Sequence, residues 1–514
     1  QMSKFHSMVS RRDFMKAIGM AGAGVGAVAA TTPVFHDLDE LMSSSSVTPA
    51  KRPWWVKERE LFNPTSEIDW DLMQRFDRKN EAHSRRIATM YRSVETIDAA
   101  AVTQKKIDAD RIAKQTPGFD TKYQALKAGY SGSTESPAWA YPGIVDEADW
   151  AKTPEELGMP KWSGTPEENS RLLYAALRYY GAMFIGYAEV EDKWRNKLFV
   201  KTTTDAVRNW TWTPQNPDPP ESDELRYVYE NVDQPYSELR KGSTGRSAGK
   251  HVIPSKPLWL ITIATGACME ATKTLDSTIS KSNSSTADNG HEALKVRTFN
   301  FVRALGGWRA FGDGGHQTSE SNFSAAMILT GLAENSRQGN YCLTPETGPN
   351  HIPFTMLTDF PLVPTKPIDA GLFRFCHSCK KCADACPSQS ISHADEPSWD
   401  VPDVDGKPRV FCNPGHKGFW PDMAGCNYYS KGGGTSGCWV CYANCTFSED
   451  KAAMMHNIIR GTVSTTSLFN GFFSSMSNTF GYGPYESPEV WWDMSLPAYG
   501  FDSTIGAAKG GYSK

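Results

Sequence analysis

No apolar run long enough to cross a bilayer, about 20 residues, follows the first thirty positions of this chain. The longest one, near Pro257–Cys268, reads as a buried strand. Membrane attachment would therefore have to come from a partner or from the N-terminal segment. Long basic runs are missing too, and the formal net charge is −4. Nucleic acid is not the favoured partner of such a surface. Cysteine is not used as in disulfide-built secreted domains. There are eleven in 514 residues, and nine of them lie between positions 376 and 445, eight of these at metal-ligand spacings. With 39% hydrophobic and 22% charged residues, the chain has an ordinary globular balance, with mass for about three to four units of about 150 residues each. Sixteen Trp suit aromatic-lined cavities and a large core equally well.

The crowded cysteines carry the clearest chemistry. Cys376, Cys379, Cys382 and Cys386, followed by Pro387, form the run C-x2-C-x2-C-x3-C-P, the bacterial ferredoxin pattern. Cys426 and then Cys438-x2-Cys441-x3-Cys445 make a second group. Two such groups imply two [4Fe–4S] clusters and one-electron chemistry. In two-cluster ferredoxins the fourth Cys of each run ligates the other cluster. That rule assigns Cys376, Cys379, Cys382 and Cys445 to the first cluster. The second takes Cys386, Cys438, Cys441 and one upstream Cys. Cys412 and Cys426 compete for that last position, with Cys426 favoured as the nearer. Cys268, Cys342 and Cys412 are left over and read as buried free thiols.

At the other end, Ser10-Arg11-Arg12-Asp13-Phe14-Met15-Lys16 followed by the Gly/Ala-rich stretch Ala17–Ala30 reads as a twin-arginine export signal. A route that carries folded proteins reconciles export with clusters inserted beforehand. Residues 1–38 are read as signal and linker start, and 39–165 as an N-terminal region with a helical stretch over Trp70–Tyr91. Residues 166–365 form an α/β core with helices over Glu168–Gly181, Ala293–Leu305 and Ser321–Leu332. Strands are expected at Phe184–Val190 and Leu258–Ala264. Residues 366–450 bind the clusters, and 451–514 form a tail with few periodic stretches packed on the rest. The fold class is α+β.

The segment from Pro361 through Asp369 to the first cysteine run resembles the corrinoid-dependent reductive dehalogenases. So do Thr344-Pro345-Glu346-Thr347-Gly348-Pro349-Asn350 and the pairing of an export signal with two late cysteine groups. The resemblance covers most of the chain and is most specific from about residue 290 to 447. It implies a nitroreductase-like corrinoid-binding core, a ferredoxin-like domain with two [4Fe–4S] clusters and a base-off cobamide. It implies reductive removal of halide from an organohalide that serves as terminal electron acceptor. It also implies a small hydrophobic membrane-anchor protein, an upstream respiratory electron donor and a place on the outer face of the cytoplasmic membrane. None of the eleven His has Asp two residues before it, so the Asp-x-His-x-x-Gly pattern of a His lower ligand is missing, in keeping with a base-off state. Competing readings are an exported electron-transfer subunit without corrinoid and a tRNA-modifying corrinoid reductase. The export signal and acidic balance argue against the latter.

The chain departs from the family where a Tyr proton donor is expected. No Tyr lies between Tyr236 and Tyr341, and Asp288-Asn289-Gly290-His291 occupies the matching stretch. A basic residue expected after Asn350 is replaced by His351 and Ile352. His291 is the candidate donor, and His351 the candidate halide or proton partner. His316, with Gln317 on a Gly-rich turn, is a further pocket candidate, because imidazole titrates near neutral pH. Thr344, Pro345, Gly348 and Pro349 are the candidate corrinoid loop. Arg337 reads as a surface or structural ion-pair residue.

Overall fold

The computed structural model describes residues 52, 55–124, 151–203, 207, 209–243, 245–312, 320–339, 341–432, 438–449, 454–479, 482–502 and 505. The export motif, the turn bearing His316 and Gln317, and Gly433-Gly434 lie outside the described residues.

The chain enters through strand β1 (Lys57–Glu58), then helices α1 (Arg85–Tyr91) and α2 (Val94–Ala113). The helix expected over Trp70–Tyr91 is confined to its last third. Ser84 caps α1 by accepting from Ile87 N–H. Upstream, Arg75 donates to the carbonyls of Phe199, Val200 and Tyr227, and Arg78 to that of Ser321. These long-range ties hold residues 70–84 against the core as turns and outweigh a modest helix propensity.

Helix α3 (Pro166–Tyr180) begins with a capping box, Thr165 and Glu168, and a Pro in its first turn. Strands β2 (Phe184–Glu189), β3 (Leu225–Glu230), β4 (Tyr236–Lys241), β5 (Ser247–Pro254) and β6 (Trp259–Gly266) follow. Next come α4 (Met269–Thr272), α5 (Thr278–Gly306), β7 (Ala310–Phe311), α6 (Phe323–Leu329) and β8 (His351–Thr358). The main sheet runs β2-β6-β8-β7, antiparallel throughout. A second sheet, β3-β5-β4, lies beside it.

The main sheet is covered on both faces, so its strands read as nearly unbroken apolar runs. Ala188, Leu260 and Leu357 point to one side, where Ala326 and Leu329 of α6 pack. Ile185, Tyr187, Ile261, Ile263, Phe354 and Met356 point to the other, against Leu173 and Leu177 of α3 and Leu294 and Val302 of α5. Helix α5 is longer than the expected Ala293–Leu305. A Ser277/Ser280 capping box starts it one Ser/Asn-rich half earlier, a stretch of low propensity carried by tertiary packing. Helix α6 is shorter than expected and stops before Gly331. At φ +75, a Cβ on Gly331 would stand 1.8 Å from the Lys366 carbonyl.

The last third opens with β9 (Ile368–Asp369), which returns to pair with β1. It continues with α7 (Leu372–Ser378), α8 (Lys381–Asp384), α9 (Met423–Gly432), α10 (Val440–Ala443), α11 (Met454–Thr465) and α12 (Asn470–Thr479). The two final helices replace the mostly irregular tail expected from sequence. Val463 of α11 is buried with Leu372 and Phe375 of α7, and Phe473 of α12 packs on the same cluster. No helix among the described residues is long and apolar enough to cross a membrane.

Candidate functional site

The first cysteine run is folded by two short helices. Cys376 sits in the last turn of α7, Cys379 at its C-cap, Cys382 in α8 and Cys386 just beyond. All four are buried. In the second group Cys426 lies in α9, Cys441 in α10, and Cys438 and Cys445 flank α10. The chain brings these thiols into two sets. Cys376, Cys379, Cys382 and Cys445 line one small cavity together with Arg337. Cys426 and Cys441 each feel the negative charge of Cys386 and Cys438. The sets abut where Cys382 and Cys441 share one apolar cluster. Cys412 is influenced by Arg409 and Asp422 and by no other cysteine.

Burial and mutual repulsion set the state of these thiols. Burial pushes Cys445 and Cys426 up to about 12, and Cys376, Cys382 and Cys441 are also raised by it. Without added positive charge they hold their protons; bound iron reverses that balance. Among the described residues no three His, Cys, Asp or Glu side chains stand close enough for a single metal ion. Thiolates around one zinc would be about 3.8 Å apart, whereas a cube interposes several atoms. Hydrogen bonds already reach the sulfurs. Ser474 Oγ donates to Cys379 Sγ at 3.5 Å and Ser390 N–H to Cys386 Sγ at 3.4 Å. The donor set, the burial and the four-thiol cavity fit [4Fe–4S] groups.

Between α6 and β8 the chain runs from Thr330 to Asn350 without a long helix or strand, yet almost every described residue in it is buried. Loops are ordinarily on the surface because their backbone needs water. This one is satisfied internally. Thr344 and Gly348 exchange backbone hydrogen bonds at 2.9 and 3.0 Å, and Thr344 Oγ1 accepts from Thr347 N–H at 3.0 Å. Asn350 Nδ2 donates to Ser448 Oγ at 2.8 Å, three residues past Cys445. The Thr344–Asn350 loop therefore lies directly on the cluster-ligand segment. Two buried acceptors there, Asn350 Oδ1 and Glu346 Oε2, have no hydrogen-bond partner. A flat ligand rimmed with amides supplies the missing donors, so these residues fit a corrinoid.

His291 and His351 lie at the same end of the main sheet but on opposite faces, His291 against Phe354 and His351 against Phe184. The register pairs Thr265 with Ile352 and Gly266 with His351. His291, from α5, places Nε2 2.9 Å from Thr265 Oγ1 and 3.0 Å from the Ile352 carbonyl. The carbonyl accepts only, which puts the ring proton on Nε2. His351 holds Nδ1 3.1 Å from the Gly348 carbonyl and Nε2 3.5 Å from Cys342 Sγ. Burial depresses His351 to about 4, so it is a neutral imidazole at pH 7. Sequence reasoning passed over Lys295. It is 4% exposed, one turn after His291 on α5, and its ammonium lies 5.8 Å from the Phe354 ring on which His291 also rests. A Lys four residues after a His on the apolar face of a helix was the available signal.

Arg337 is not a surface ion-pair residue. It is 0% exposed, and its guanidinium donates to the carbonyls of Cys376, His377, Cys379, Ser392 and Ala394. Sequence reasoning also missed a cavity of about 180 Å³ between α6, the 335–339 stretch, residues 411–423 and residues 64–82. Ser324, Asn335, Cys412, His416 and Trp420 line it.

Comparison with known proteins places the chain in a family. Residues 51–362 match the family model described as reductive dehalogenase subunit. The chain is 30% identical to a chloroethene reductive dehalogenase of Dehalococcoides mccartyi strain VS, over 98% of this chain and 99% of that one. It is 29% identical to a trichloroethene reductive dehalogenase of Dehalococcoides mccartyi strain 195, over 97% and 98%. Among solved structures, the catabolic reductive dehalogenase NpRdhA in complex with 3-bromo-4-hydroxybenzoic acid superposes with a TM-score of 0.55 at 17% identity. That match covers 87% of this chain and 52% of that chain, so this chain spans about half the length of the solved relative. A further reductive dehalogenase structure, described as suggesting a mechanism for B12-dependent dehalogenation, gives a TM-score of 0.54. By sequence and by fold, the chain belongs to the reductive dehalogenase family, oxidoreductases that act on carbon–halogen bonds.

Proposed function

We propose that the protein removes halide from a chlorinated ethene by the balance R–X + 2 e⁻ + H⁺ → R–H + X⁻, using a base-off corrinoid and two [4Fe–4S] clusters. The observation that carries this reading is the seating of the buried Thr344–Asn350 loop, with its two unpartnered acceptors, on the segment that holds Cys445. The substrate class is taken from the chloroethene and trichloroethene relatives, which align over nearly their full length.

When bound, the corrinoid supplies the low-potential metal centre for carbon–halogen cleavage, and the clusters supply electrons one at a time. The chain's own residues do the rest. Cys376, Cys379, Cys382 and Cys445 hold one cluster; Cys386, Cys426, Cys438 and Cys441 hold the other. Thr344, Pro345, Gly348 and Pro349 shape the loop that would hold the corrinoid, and Asn350 and Glu346 would accept from its amides. His291 carries a proton on Nε2 at the sheet end and delivers it to the carbon that loses halide. His351, neutral and hydrogen-bonded to the Gly348 carbonyl, steadies the Thr344–Asn350 loop from the opposite face of the sheet. The apolar walls of Phe184 and Phe354 beside the two rings keep water from competing for the electrons.

Arg11-Arg12 and the Gly/Ala stretch support export by the twin-arginine route to the outer face of the cytoplasmic membrane. There a small hydrophobic anchor protein and an upstream respiratory electron donor would complete the chain of transfer. The test is iron, cobalt and chloride on protein purified without oxygen from a corrinoid-supplied host. About eight Fe and one Co per chain, with chloride released from trichloroethene by a reduced viologen dye, is the expected result. About eight Fe with neither cobalt nor chloride release would make the protein an electron carrier.

A further inference from the structure

We propose that Arg337 is the buried counter-charge of the Cys376–Cys379–Cys382–Cys445 cluster and a positioning residue that raises its reduction potential. The inference rests on the cluster reading above and extends it.

A fully buried guanidinium normally has a carboxylate partner, because an unpaired buried charge is costly. Among the described residues Arg337 has none. Its six hydrogen bonds, between 2.6 and 3.1 Å, all go to backbone carbonyls. Its remaining face lies 4.2 Å from the ring centroid of Phe419. Asp395, the carboxylate whose ionisation Arg337 favours, is largely exposed and takes Lys380 at 2.6 Å. Carbonyl dipoles solvate the guanidinium but leave its full unit of charge in place. Three of the five carbonyl residues, Cys376, His377 and Cys379, belong to the cysteine run itself. Arg337 also lines the cavity enclosed by the four thiols. The missing anion is thus the group those thiols would hold: a [4Fe–4S] cube with four thiolates is −2 when oxidised and −3 when reduced.

The same contacts give Arg337 two effects. Its hydrogen bonds tie residues 376–379 to residues 392 and 394, fixing the loop on which three ligands sit. Its charge, buried at the wall of the four-thiol cavity, stabilises the −3 state more than the −2 state. Both net charge and hydrogen bonds to sulfur shift such potentials. Lys381, the other buried cation on this run, also has neutral partners, Ser477 Oγ at 2.8 Å and the Tyr482 carbonyl, so its charge adds to that of Arg337 and stays constant when Arg337 is replaced.

The test is an EPR-monitored redox titration of the reconstituted full chain, with a Ti(III) chelate as one-electron donor, on wild type, Arg337→Gln and Arg337→Lys. Removing the charge should lower the potential of this cluster by at least tenfold in its reduction equilibrium, about 59 mV for a one-electron couple. The other cluster should be unmoved, and the Lys variant should stay near wild type. Equal potentials in Gln and wild type, or equal shifts in Gln and Lys, would overturn the proposal. If the Gln variant fails to load this cluster, Phe419→Glu decides. It brings a carboxylate to Arg337 while keeping the guanidinium, so a lowered potential supports the inference and an unchanged one overturns it. A wild-type chain without cluster signals would refute the cluster reading itself, an outcome distinct from all of these.

Discussion

Gly348 stands against Phe447 so closely that a Cβ on Gly348 would lie 2.9 Å from the Phe447 carbonyl carbon and oxygen. With φ at +58, the position combines a left-handed backbone with a contact that only hydrogen at that site permits. This one contact joins the candidate corrinoid loop to the segment two residues beyond Cys445.

Gly348→Ala should therefore cost both strain and packing. A non-Gly residue at such a φ costs about 1–3 kcal/mol, and the clash adds to it by pushing the loop off Phe447. The expected outcome is a lower thermal midpoint and less corrinoid retained per chain, with iron content held. Cobalt and iron analysis after gel filtration separates the two. Wild-type cobalt retention in the variant would show that this contact does not shape the cofactor loop.

The cysteine sets were legible because ligand spacing is local. A run of x2, x2 and x3 gaps marks a set of thiol ligands without any knowledge of distant partners. Two strands, β2 and β6, were legible too, since they are buried on both faces and read as apolar runs; β8 and the whole β3-β5-β4 sheet were not. Arg337 was not, because its role depends on carbonyls 39 to 57 residues away. The Ser/Asn-rich first half of α5 was also invisible, since packing rather than propensity holds it. The placing of His291 against Thr265 and the Ile352 carbonyl depends on the register of β6 with β8, which no single stretch of sequence encodes.

Cys426 and Cys412 were rivals for one ligand position; both pack on one apolar cluster, and they differ in their charged neighbours. Cys426 senses Cys438 and Cys386; Cys412 does not. Cys426→Ala should lose one cluster, lowering iron from about eight to about four per chain, while Cys412→Ala should keep the full complement. The reverse pattern in iron analysis would exchange their roles.

Glu334 is buried at 1% exposure and accepts from Thr65 Oγ1, Ala370 N–H and Leu372 N–H. Burial raises it to about 7. A raised carboxyl binds its proton more tightly in the folded state, so its contribution to stability is full below about 4.5 and lost as pH rises through 7. His251 and His351, both depressed to about 4 by burial, act oppositely: their contribution is full above about 6.5 and lost as pH falls through 4. Glu334→Gln removes the opposing term. Thermal midpoints from pH 4.5 to 8 should then fall more steeply toward acid than in wild type, and the variant should gain up to about 3 kcal/mol at pH 8. An unchanged pH profile would mean that Glu334 is not protonated near neutrality.

His291 offers the sharpest test of the reaction itself. Its Nε2 proton lies between Thr265 Oγ1 and the Ile352 carbonyl, and general acid catalysis is worth about 10²–10⁴ in rate. His291→Ala should therefore lower kcat for chloride release from trichloroethene by at least about a hundredfold, with iron and cobalt content intact and KM little changed. Thr265→Val removes only the hydroxyl that shares the proton. Its effect should be smaller, about threefold to tenfold, on the scale of one hydrogen bond. Turnover near wild type in His291→Ala would move the proton donor elsewhere. Lys295, one turn along the same buried face, would then be the first residue to replace, and a rate loss in Lys295→Met without loss of cofactor would transfer the role to its ammonium.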